Sequence, residues 1–336
     1  MKKAAIILGS VLIALVLAVS GKIVYIMLNQ TPVGIADRTG NDNINVMLTR
    51  PDHWKRIIDS PVIDEEDMAV LDGSTATIPI TAELFRQLFG YTDDQIAQTP
   101  VVYHSTTHRA YLALIDKGYK TEYSYRTSLI FVTPPSEEEK EYAKVKGVAL
   151  DLIPVARDGF VFITHKSNPV DSLTVEQIQD IYTGKITNWN QVGGEDLTIK
   201  AYQREENSGS QTAMEQMVMQ GKAIQSPIGV KVHFGMGHLV DAVAEYENGP
   251  ASIGYTYYYY INNLYKNDNI KVLKINGTAP TNENLISGAY PFSTSYYAVT
   301  RGDEPADSPA RKLRDFLVTP GGQDLIAMAG YCKAVN

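Results

Sequence analysis

The chain has 336 residues, of which 44% are hydrophobic, and this is enough to bury a substantial core in two domains or lobes. Its formal net charge of -8, without any Lys/Arg-rich block, argues against nucleic acid as a partner. The single cysteine, Cys332, excludes an internal disulfide and a cysteine-based zinc site. A binding site for a small anion remains compatible with the negative charge, because a cleft acts through local dipoles.

The N-terminus has the pattern of an export signal. Lys2 and Lys3 precede a mostly apolar segment that reaches Leu28. A cleavage site at Ala18-x-Ser20 would release the chain, whereas an uncleaved segment is long enough to span a membrane. We expect residues 1–28 to remain as an anchor with the two lysines inside. Both alternatives place the rest of the chain outside the cytoplasm.

Residues 29–65 show no sustained periodicity, and we interpret them as a tether or an irregular lead-in. The folded part begins with a predicted strand at Ala69-Val70-Leu71. Apolar residues at helical spacing then run from Ile80 to Gly90, where glycine suits the end of a helix. The loop between this strand and this helix carries the first candidate ligand residues, which are Thr75, Ala76 and Thr77.

A second strand, loop and helix follow. Val101-Val102-Tyr103 indicates a strand, and apolar residues from Ala110 to Gly118 indicate a helix. His104 and His108 are four residues apart, but neither an intervening glutamate nor a third ligand is evident, so no metal site is predicted. The loop also carries the second group of candidate ligand residues, which are Ser105, Thr106 and Thr107.

Further along, residues 128–132 form a predicted strand that leads to Thr133. Ser136 and Glu139 then form a predicted capping box that opens a helix. Residues 148–162 are interpreted as two strands joined by a turn. Trp189 is expected to pack in the core and not to stack on a ligand.

The strongest chemical signal lies in the segment that begins at Arg204. This residue offers a planar guanidinium suited to a phosphate-like oxyanion. Ser208-Gly209-Ser210 leads into an apolar-periodic helix, whose first backbone N–H groups have no partner inside the helix. Small residues allow an anion to approach those N–H groups, and the two hydroxyls add donors. The alternative is an ordinary serine-capped helix beside a surface arginine.

The remaining elements continue an alternation of strands and helices. Gly235-Met236-Gly237 lacks the third glycine of a dinucleotide loop, so no cofactor is predicted. Strands are predicted at residues 252–255, extended by the tyrosine run 257–260, and at 292–300, and helices begin at Thr174, Ser308 and Thr319. This pattern predicts an α/β protein with open, mostly parallel sheets.

Three Ser/Thr-bearing loops thus each lie between a strand and a helix. In an open α/β sheet, ligands bind beyond the carboxyl ends of the strands, where these loops would converge. Hydrogen bonds to a charged group contribute about 1.5–3 kcal/mol each, and micromolar binding requires only about 8 kcal/mol. About five or six good donors could therefore hold a compact oxyanion after desolvation and ordering costs.

The order of these motifs resembles the phosphate-binding proteins of ABC-type uptake systems, which have the type II periplasmic-binding-protein fold. The resemblance covers roughly residues 66–332 and rests on the ordered set of motifs, since each motif alone is weak. The motifs are Asp72-Gly73-Ser74-Thr75-Ala76, Ile181-Tyr182-x-Gly184 with Trp189, Arg204-x-x-x-Ser208-Gly209-Ser210, Ile253-Gly254-Tyr255, Tyr290-Pro291, and Thr319-Pro320-Gly321-Gly322-Gln323 with Gly330-Tyr331.

The resemblance implies two lobes joined by two crossing strands, with the ligand clamped between the lobes. The crossings would lie near residues 153–162 and 292–299. Lobe 1 would then comprise residues 66–154 together with 293–336, and lobe 2 would comprise residues 155–292.

The resemblance also assigns site residues one by one. Thr133 departs from the family, in which members that discriminate phosphate often have an aspartate that accepts the proton of hydrogen phosphate. A hydroxyl can donate as well as accept, so we hypothesise weaker discrimination against sulfate, or a different tetrahedral oxyanion. The other matches are Arg204, Ser208, Gly209 and Ser210 in the main anion motif, Thr75, Ala76 and Thr77 in the first loop, and Ser105, Thr106 and Thr107 in the second.

The function that the resemblance implies is that of a non-catalytic, extracytoplasmic solute-binding protein that delivers inorganic phosphate to an ABC transporter permease. We expect a membrane-attached monomer without a cofactor. An alternative keeps the binding but makes the anchored domain a sensor for a membrane partner. An enzyme acting on phosphate esters is disfavoured, because the sequence shows no two-metal cluster, no G-x-S-x-G turn and no Ser-His-Asp arrangement.

Overall fold

A computed structural model describes residues 54–59, 62–98, 104–117, 127–225, 232–233, 236–245 and 249–334. The predicted anchor, residues 29–53 of the predicted tether and the predicted strand Val101-Val102-Tyr103 lie outside the described residues. Within these ranges, no helix is both long enough and apolar enough to cross a bilayer.

The described elements alternate between strands and helices, as expected for an α/β chain. The strands are β1 (Val70–Gly73), β2 (Thr127–Val132), β3 (Leu150–His165), β4 (Ser172–Leu173), β5 (Lys200–Ala201), β6 (Gln203–Arg204), β7 (Val232–His233), β8 (Ser252–Tyr257), β9 (Ile270–Val272), β10 (Lys274–Ile275), β11 (Ser293–Arg301) and β12 (Cys332–Lys333). The helices are α1 (Ile78–Phe89), α2 (Asp93–Gln98), α3 (Thr107–Ile115), α4 (Glu137–Val145), α5 (Val175–Tyr182), α6 (Gly209–Ala213), α7 (Met236–Ala244), α8 (Asn282–Ser287), α9 (Pro309–Phe316) and α10 (Pro320–Met328).

Eight of the described strands form one central sheet. Six of them follow the order β1-β2-β11-β3-β8-β5, and β9 and β12 also pair with β3. β1 runs parallel to β2 and β5 parallel to β8, whereas β3 and β11 run antiparallel to all their described neighbours. Two further parallel pairs, β4–β10 and β6–β7, lie outside this sheet. The described pairs are therefore parallel wherever neither β3 nor β11 takes part.

The long strand β3 differs from its prediction. The sequence indicates two strands joined by a turn over residues 148–162, but the structure has the single strand Leu150–His165. Its first part pairs with β11 and its last part with β8 and β9. The Arg157-Asp158-Gly159 segment has a local turn signal, yet it stays extended because residues 293–295 of β11 pair with it.

Helix boundaries follow the predicted caps. The Ser136 side chain accepts from the N–H of Glu139, whose carboxylate accepts in turn from the Ser136 N–H. The same reciprocal arrangement opens α5, and a serine or threonine cap followed by proline opens α9 and α10. Each cap stabilises its helix by about 1 kcal/mol. Gly90 ends α1 in the left-handed conformation, with φ 73°, so this predicted helix end is confirmed.

Aromatic side chains dominate the core beside β3 and β8. The rings of Phe160, Phe162, Tyr182 and Tyr255 lie in contact, with centroid distances from 5.5 to 6.2 Å. Trp189 is fully buried and donates from Nε1 to Ala251 O at 2.9 Å, which confirms its predicted packing role. Such large rings contribute much of the apolar area that stabilises the fold.

The tyrosine run after β8 also differs from its prediction. The strand ends at Tyr257, and a π-helical turn, Tyr260–Leu264, follows instead of an extension of the sheet. The backbone N–H of Tyr259 donates to Asp158 Oδ1 at 3.0 Å. This side-chain acceptor replaces the backbone partner that a continuing strand would need.

Residues 54–58, which belong to the predicted tether, lie against α1. Trp54 Nε1 donates to Glu83 Oε1 at 2.7 Å, and the Ile57 N–H donates to Gln87 Oε1 at 2.7 Å. Gln87 Nε2 also donates to Glu83 Oε1 at 2.7 Å. Because Glu83 and Gln87 are fully buried, these contacts satisfy polar groups inside the fold and attach this segment to the helix behind the first candidate loop.

Candidate anion-binding site

The first candidate loop, Thr75–Thr77, forms a turn of 3-10 helix that leads directly into α1. The Thr77 hydroxyl donates to the carbonyl oxygens of Ser74 and Phe131, each 2.8 Å away. It thus holds the end of β1 against β2, and its hydrogen is used within the fold. The backbone N–H groups of Thr75 and Ala76 lie at the start of this helical turn, where N–H groups have no partner inside the helix.

The second candidate loop precedes α3, and its three residues differ in their surroundings. Ser105 donates from its N–H and its hydroxyl to the two carboxylate oxygens of Asp72, at 2.7 and 2.6 Å. Asp72 is fully buried in β1, so this contact ties the second loop to the first strand. Thr106 is exposed, whereas Thr107 is buried at the first position of α3. Of the three hydroxyls, that of Thr107 has the position expected for a group that contacts an enclosed ligand.

Thr106 is held in a strained backbone conformation, with φ 99° and ψ 159°. Residues with a side chain rarely adopt these angles, and such strain costs about 1–3 kcal/mol. The Thr106 N–H donates to Gly73 O at 3.2 Å, and its carbonyl accepts from the Ala110 N–H at 3.0 Å. These two bonds fix the backbone in this conformation.

We predict that Thr106→Gly raises the free energy of unfolding by about 1 kcal/mol. Relief of the strain should exceed the extra chain entropy that glycine brings to the unfolded state. Thr106→Ala is the matched control, since it removes the same hydroxyl but keeps the Cβ atom. Urea unfolding of both variants checks this, and an equal gain from alanine would contradict the role of strain.

The third candidate segment joins β6 to α6. The predicted loop leading into the first turn of a helix is confirmed, and Ser208 caps α6, since its hydroxyl accepts from the Gln211 N–H at 3.2 Å. Gly209 and Ser210 form the first turn, and both are buried. The helix continues as a π-helical turn, Met214–Met219. Turns of this kind inside helices often occur at functional sites.

Gly209 brings two candidate loops and Thr133 together. A Cβ atom added at Gly209 would lie 2.5 Å from Thr133 Oγ1 and 2.7 Å from Thr107 Oγ1, closer than Cβ atoms pack in proteins. Glycine therefore permits the first turn of α6 to approach the two threonine hydroxyls. Thr133 Oγ1 is buried and forms no hydrogen bond of good geometry among the described residues, although it lies close enough to the Tyr257 hydroxyl to lower the pKa of that group. Since buried hydroxyls are normally paired, an oxygen atom of a bound ligand would complete this one.

Arg204 lies in the same region and is only 7% exposed, so its side chain is not in bulk solvent. Its guanidinium donates to both carboxylate oxygens of Glu205, at 3.2 Å from Nε and 2.8 Å from Nη2. Burial raises the pKa of Tyr257, while the Thr133 hydroxyl and the Arg204 charge oppose that rise. The Tyr257 hydroxyl donates to Gly209 O at 3.0 Å. The positive charge of Arg204 therefore acts within range of the Gly209 turn.

Three neighbours of the site were not predicted as site residues, although the sequence carries a signal for each. Glu205 directly follows Arg204, and an adjacent carboxylate is an obvious partner for a buried guanidinium. Tyr255 and Tyr257 alternate along β8, so their side chains share one face of the sheet. That face meets the site, because the Tyr255 hydroxyl accepts from the Arg204 N–H at 3.0 Å.

Further contacts link the chain after β6 to the loop between β2 and α4 and to the first turn of α4. Asn207 Nδ2 donates to Glu138 Oε2 at 2.7 Å, and Gln216 Nε2 donates to Pro135 O at 3.1 Å. Thr133 belongs to the same loop. The first turn of α6 is therefore enclosed from the side of β2, as a site that buries most of a small ligand requires.

The histidines of the second loop have partners inside the fold. His104 lies 2.8 Å from Ser74 O through Nδ1, and His108 Nδ1 lies 2.8 Å from Glu139 Oε1. In the part of the chain that the structure describes, no group of three or more His, Cys, Asp or Glu side chains could hold a metal ion. The chemistry around Gly209 is thus that of hydrogen-bond donors and one guanidinium.

Comparison with known proteins places these loops in a family. A family model described as a PBP superfamily domain matches residues 70–319, which include every candidate site residue. The chain belongs to the PBP superfamily. The predicted fold class, a type II periplasmic-binding-protein-like α/β fold, is thereby confirmed.

Relatives of this PBP superfamily chain include proteins named for phosphate. The phosphate-binding protein PstS of Borreliella burgdorferi is 26% identical over 278 residues, which cover 80% of this chain and 90% of that protein. One solved structure is that of a Clostridium perfringens protein assigned as a phosphate ABC transporter substrate-binding protein, with bound phosphate. It matches this chain with a TM-score of 0.59 and 26% identity, and the match covers 80% of this chain and 99% of that protein. An ABC-type phosphate transport receptor from Vibrio cholerae has the same fold, with a TM-score of 0.56 and 22% identity. The match covers 78% of this chain and 98% of that protein.

Proposed function

We propose that this PBP superfamily member is an extracytoplasmic solute-binding protein, which encloses inorganic phosphate or a similar tetrahedral oxyanion and delivers it to an ABC transporter permease. The observation that carries the proposal is the convergence at Gly209 of two buried threonine hydroxyls beside the buried Arg204. The names of the relatives support it, because they describe binding proteins of phosphate transport and not enzymes. The sensor alternative has no comparable support.

The proposed ligand contacts combine one charge with several neutral donors. Arg204 would supply the guanidinium, with Glu205 holding its orientation. Thr77 and Ser105 donate within the fold from both hydroxyl and backbone N–H, so we place them at the base of their loops. The full proposed set is Arg204, Ser208, Gly209, Ser210, Thr75, Ala76, Thr77, Ser105, Thr106, Thr107 and Thr133.

The lobe division stays part of this proposal. β11 pairs with β2, which we assign to lobe 1, and β3 pairs with β8, which we assign to lobe 2. Because β11 and β3 also pair with each other, they connect the two lobes through the sheet. The lobes would be residues 66–154 with 293–336 and residues 155–292. The hydrogen bond between Asn207 and Glu138 would then close the cleft from one lobe to the other.

The membrane attachment is likewise proposed from the sequence. The basic and apolar pattern of residues 1–28 supports an anchor that keeps the binding domain outside the cytoplasm. We propose that the protein acts there as a monomer. Detergent extraction of membranes from the native host, followed by detection of the full-length chain, tests the anchor directly.

Ligand choice in this proposal depends on Thr133. A carboxylate at this position would repel a fully ionised sulfate and accept the proton of hydrogen phosphate. The Thr133 hydroxyl is uncharged and can donate to either anion. The site should therefore bind phosphate with a small preference over sulfate.

Titration calorimetry with phosphate and sulfate at one pH tests both the function and this preference. We expect phosphate affinity of about micromolar or tighter, with sulfate weaker by less than about tenfold. Thr133→Asp should lower sulfate affinity at least about tenfold relative to phosphate, whereas Thr133→Asn adds no charge and should not. A several-hundredfold phosphate preference in the unmodified protein would refute the weak discrimination. Binding of neither anion would refute the function.

A further inference from the structure

Asp158 is a buried carboxylate in β3 that the proposed ligand contacts do not use. It is 2% exposed and accepts from the N–H groups of Gly159 and Tyr259, at 2.7 and 3.0 Å, and from the Tyr296 hydroxyl at 2.9 Å. Among the described residues it forms no ion pair, and no cation lowers its pKa. A buried carboxylate without a cationic partner is costly, so its place in the fold needs an explanation.

Asp158 lies at one end of a group of tyrosine rings, Tyr257, Tyr259, Tyr296 and Tyr331, which we call the tyrosine cluster. The rings of Tyr259 and Tyr331 stack at 3.7 Å, and Tyr331 meets Tyr296 edge-on at 5.8 Å. The rings of Tyr296 and Tyr257 are 5.6 Å apart. Two members, Tyr259 and Tyr296, donate to Asp158, so the cluster and the carboxylate form one packed unit.

The tyrosine cluster reaches two segments of the candidate anion site. The Tyr331 hydroxyl donates to Ala76 O in the first candidate loop, and the Tyr257 hydroxyl donates to Gly209 O. Burial raises the pKa of both tyrosines, and the charge of Asp158 raises it further. Asp158 therefore acts electrostatically at the two places where the cluster contacts the anion-binding loops.

A cleft outside the candidate anion site connects Asp158 to solvent. It has a volume of about 280 Å³, and its lining includes Asp158, Arg157, Asn262, Asn263, Asn282 and Cys332. None of the proposed anion ligands lines it. Arg157 donates to Ile286 O at 2.8 Å and to Ala334 O at 3.4 Å, so backbone carbonyls hold its guanidinium. Protons can thus reach Asp158 without passing through the anion site.

We propose that the charge of Asp158 sets the affinity of the anion site, and that binding of a tetrahedral dianion is accompanied by proton uptake at this carboxylate. This inference rests on the proposed function. Two negative charges in one protein repel each other, and the effective dielectric constant for such a pair is about 20. We therefore expect ionised Asp158 to weaken the binding of a dianion by about tenfold.

The direction of the pH dependence follows from the environment of Asp158. Burial raises its pKa to about 7, and the three hydrogen bonds that it accepts oppose this rise. A bound anion would raise the pKa further, because it disfavours the charged carboxylate. Affinity is then highest at low pH, where Asp158 carries a proton with or without ligand. It falls as the pH rises through about 7, and proton uptake is largest in that range.

The other groups around Asp158 do not change charge near this pH. Burial raises the pKa of each neighbouring tyrosine above its usual value, and burial also raises the pKa of the Cys332 thiol. Arg157 carries a permanent positive charge. These neighbours are Tyr257 at the end of β8, Tyr258 and Tyr259 directly after it, Tyr296 on β11, Tyr331 and Cys332 near the C-terminus, and Arg157 on β3. The Glu83–Arg86 ion pair on α1 acts on Tyr259.

Calorimetric titration of phosphate in buffers of different ionisation enthalpy counts the protons taken up. Wild type and Asp158→Asn are compared at the same pH, so that the titration of phosphate itself cancels. We expect the wild type to take up more protons near pH 7, and its affinity to fall about tenfold more than that of the variant between about pH 6 and about pH 8. Equal uptake and parallel affinity profiles would overturn the inference and leave phosphate binding established. Failure of the wild type to bind would overturn both.

Tyr296→Phe provides a second measurement in case Asp158→Asn does not fold. It keeps the ring and the carboxylate but removes one donor to Asp158, so the fall in affinity should move to higher pH. Tyr290→Phe is the matched control, because its buried hydroxyl donates to Phe160 O on the same strand, at 3.2 Å, and not to Asp158. An unmoved profile for Tyr296→Phe, or an equal move in both variants, would overturn the role of Asp158.

Discussion

Replacing Arg204 with alanine is expected to weaken phosphate binding by about a hundredfold or more. Removal of one partner from a desolvated, hydrogen-bonded charge pair costs about 2–5 kcal/mol. Here the change also leaves the Glu205 carboxylate, which the guanidinium holds at 2.8 Å, beside an incoming anion without its counter-charge. The loss should therefore lie in the upper part of that range. Titration calorimetry at fixed pH and ionic strength measures it.

Lys144→Ala is the control for the loss of one positive charge. Its side chain is 78% exposed on α4, where the ion pair with Glu141 is open to solvent. Charges of this kind are screened and contribute little. Phosphate affinity should stay within about twofold of wild type in this variant. A similar loss of affinity in both variants would mean that net charge, and not the position of Arg204, governs binding. An unchanged affinity in Arg204→Ala would show that this residue does not belong to the site.

Most of the described elements could be predicted because their signals are local. The end of α1 at Gly90 and the capping box at Ser136 each depend on residues within one helical turn. The prediction was wrong where a distant partner overrides a local preference. Arg157-Asp158-Gly159 has the composition of a turn, but β11 pairs with it and keeps it extended. Pairing of this kind depends on a segment far along the chain, so local composition could not reveal it.

In the candidate site, residue types were predictable and partners were not. The loop at Thr75 lies between β1 and α1, and the loop at Ser105 precedes α3, as expected for ligand-binding loops in an α/β sheet. Yet the Ser105 hydroxyl donates to Asp72, and the Arg204 guanidinium to Glu205. A hydroxyl or guanidinium donates to whichever acceptor the fold brings within hydrogen-bond distance, and sequence spacing does not specify that acceptor.

The proposed site also suits an anion in a protein with a net charge of -8. The proposed ligands are neutral donors and one arginine, and none is a carboxylate. Two negative charges that bear on the proposed site, those of Glu205 and Asp158, are neutralised in different ways. Glu205 pairs with Arg204, and burial makes Asp158 protonate near neutral pH. Local pairing and burial thus matter more for anion affinity than the charge of the whole chain.

Gly209→Ala is expected to weaken phosphate binding by about tenfold to a hundredfold. The new Cβ atom would lie 2.5 Å from Thr133 Oγ1 and 2.7 Å from Thr107 Oγ1. Both threonines are β-branched and their χ1 angles are restricted, so withdrawal of either hydroxyl is costly. Overpacking of this kind costs about 1–3 kcal/mol. The cost falls on the arrangement that brings the two hydroxyls to the first turn of α6, which is the arrangement that the anion requires.

A double-mutant cycle with Thr133→Ala identifies the contact responsible. Removing the Thr133 hydroxyl relieves the shorter of the two clashes, so Gly209→Ala should cost about 1 kcal/mol less in that background. Gly321→Ala serves as the control, because its Cβ atom would meet Phe316 and Ile58 at 3.7 and 3.8 Å, which are ordinary contacts. Its phosphate affinity should not change. If the effects of Gly209→Ala and Thr133→Ala were simply additive, the two segments would not meet at this point in the bound protein, and the convergence on which the anion site depends would be lost.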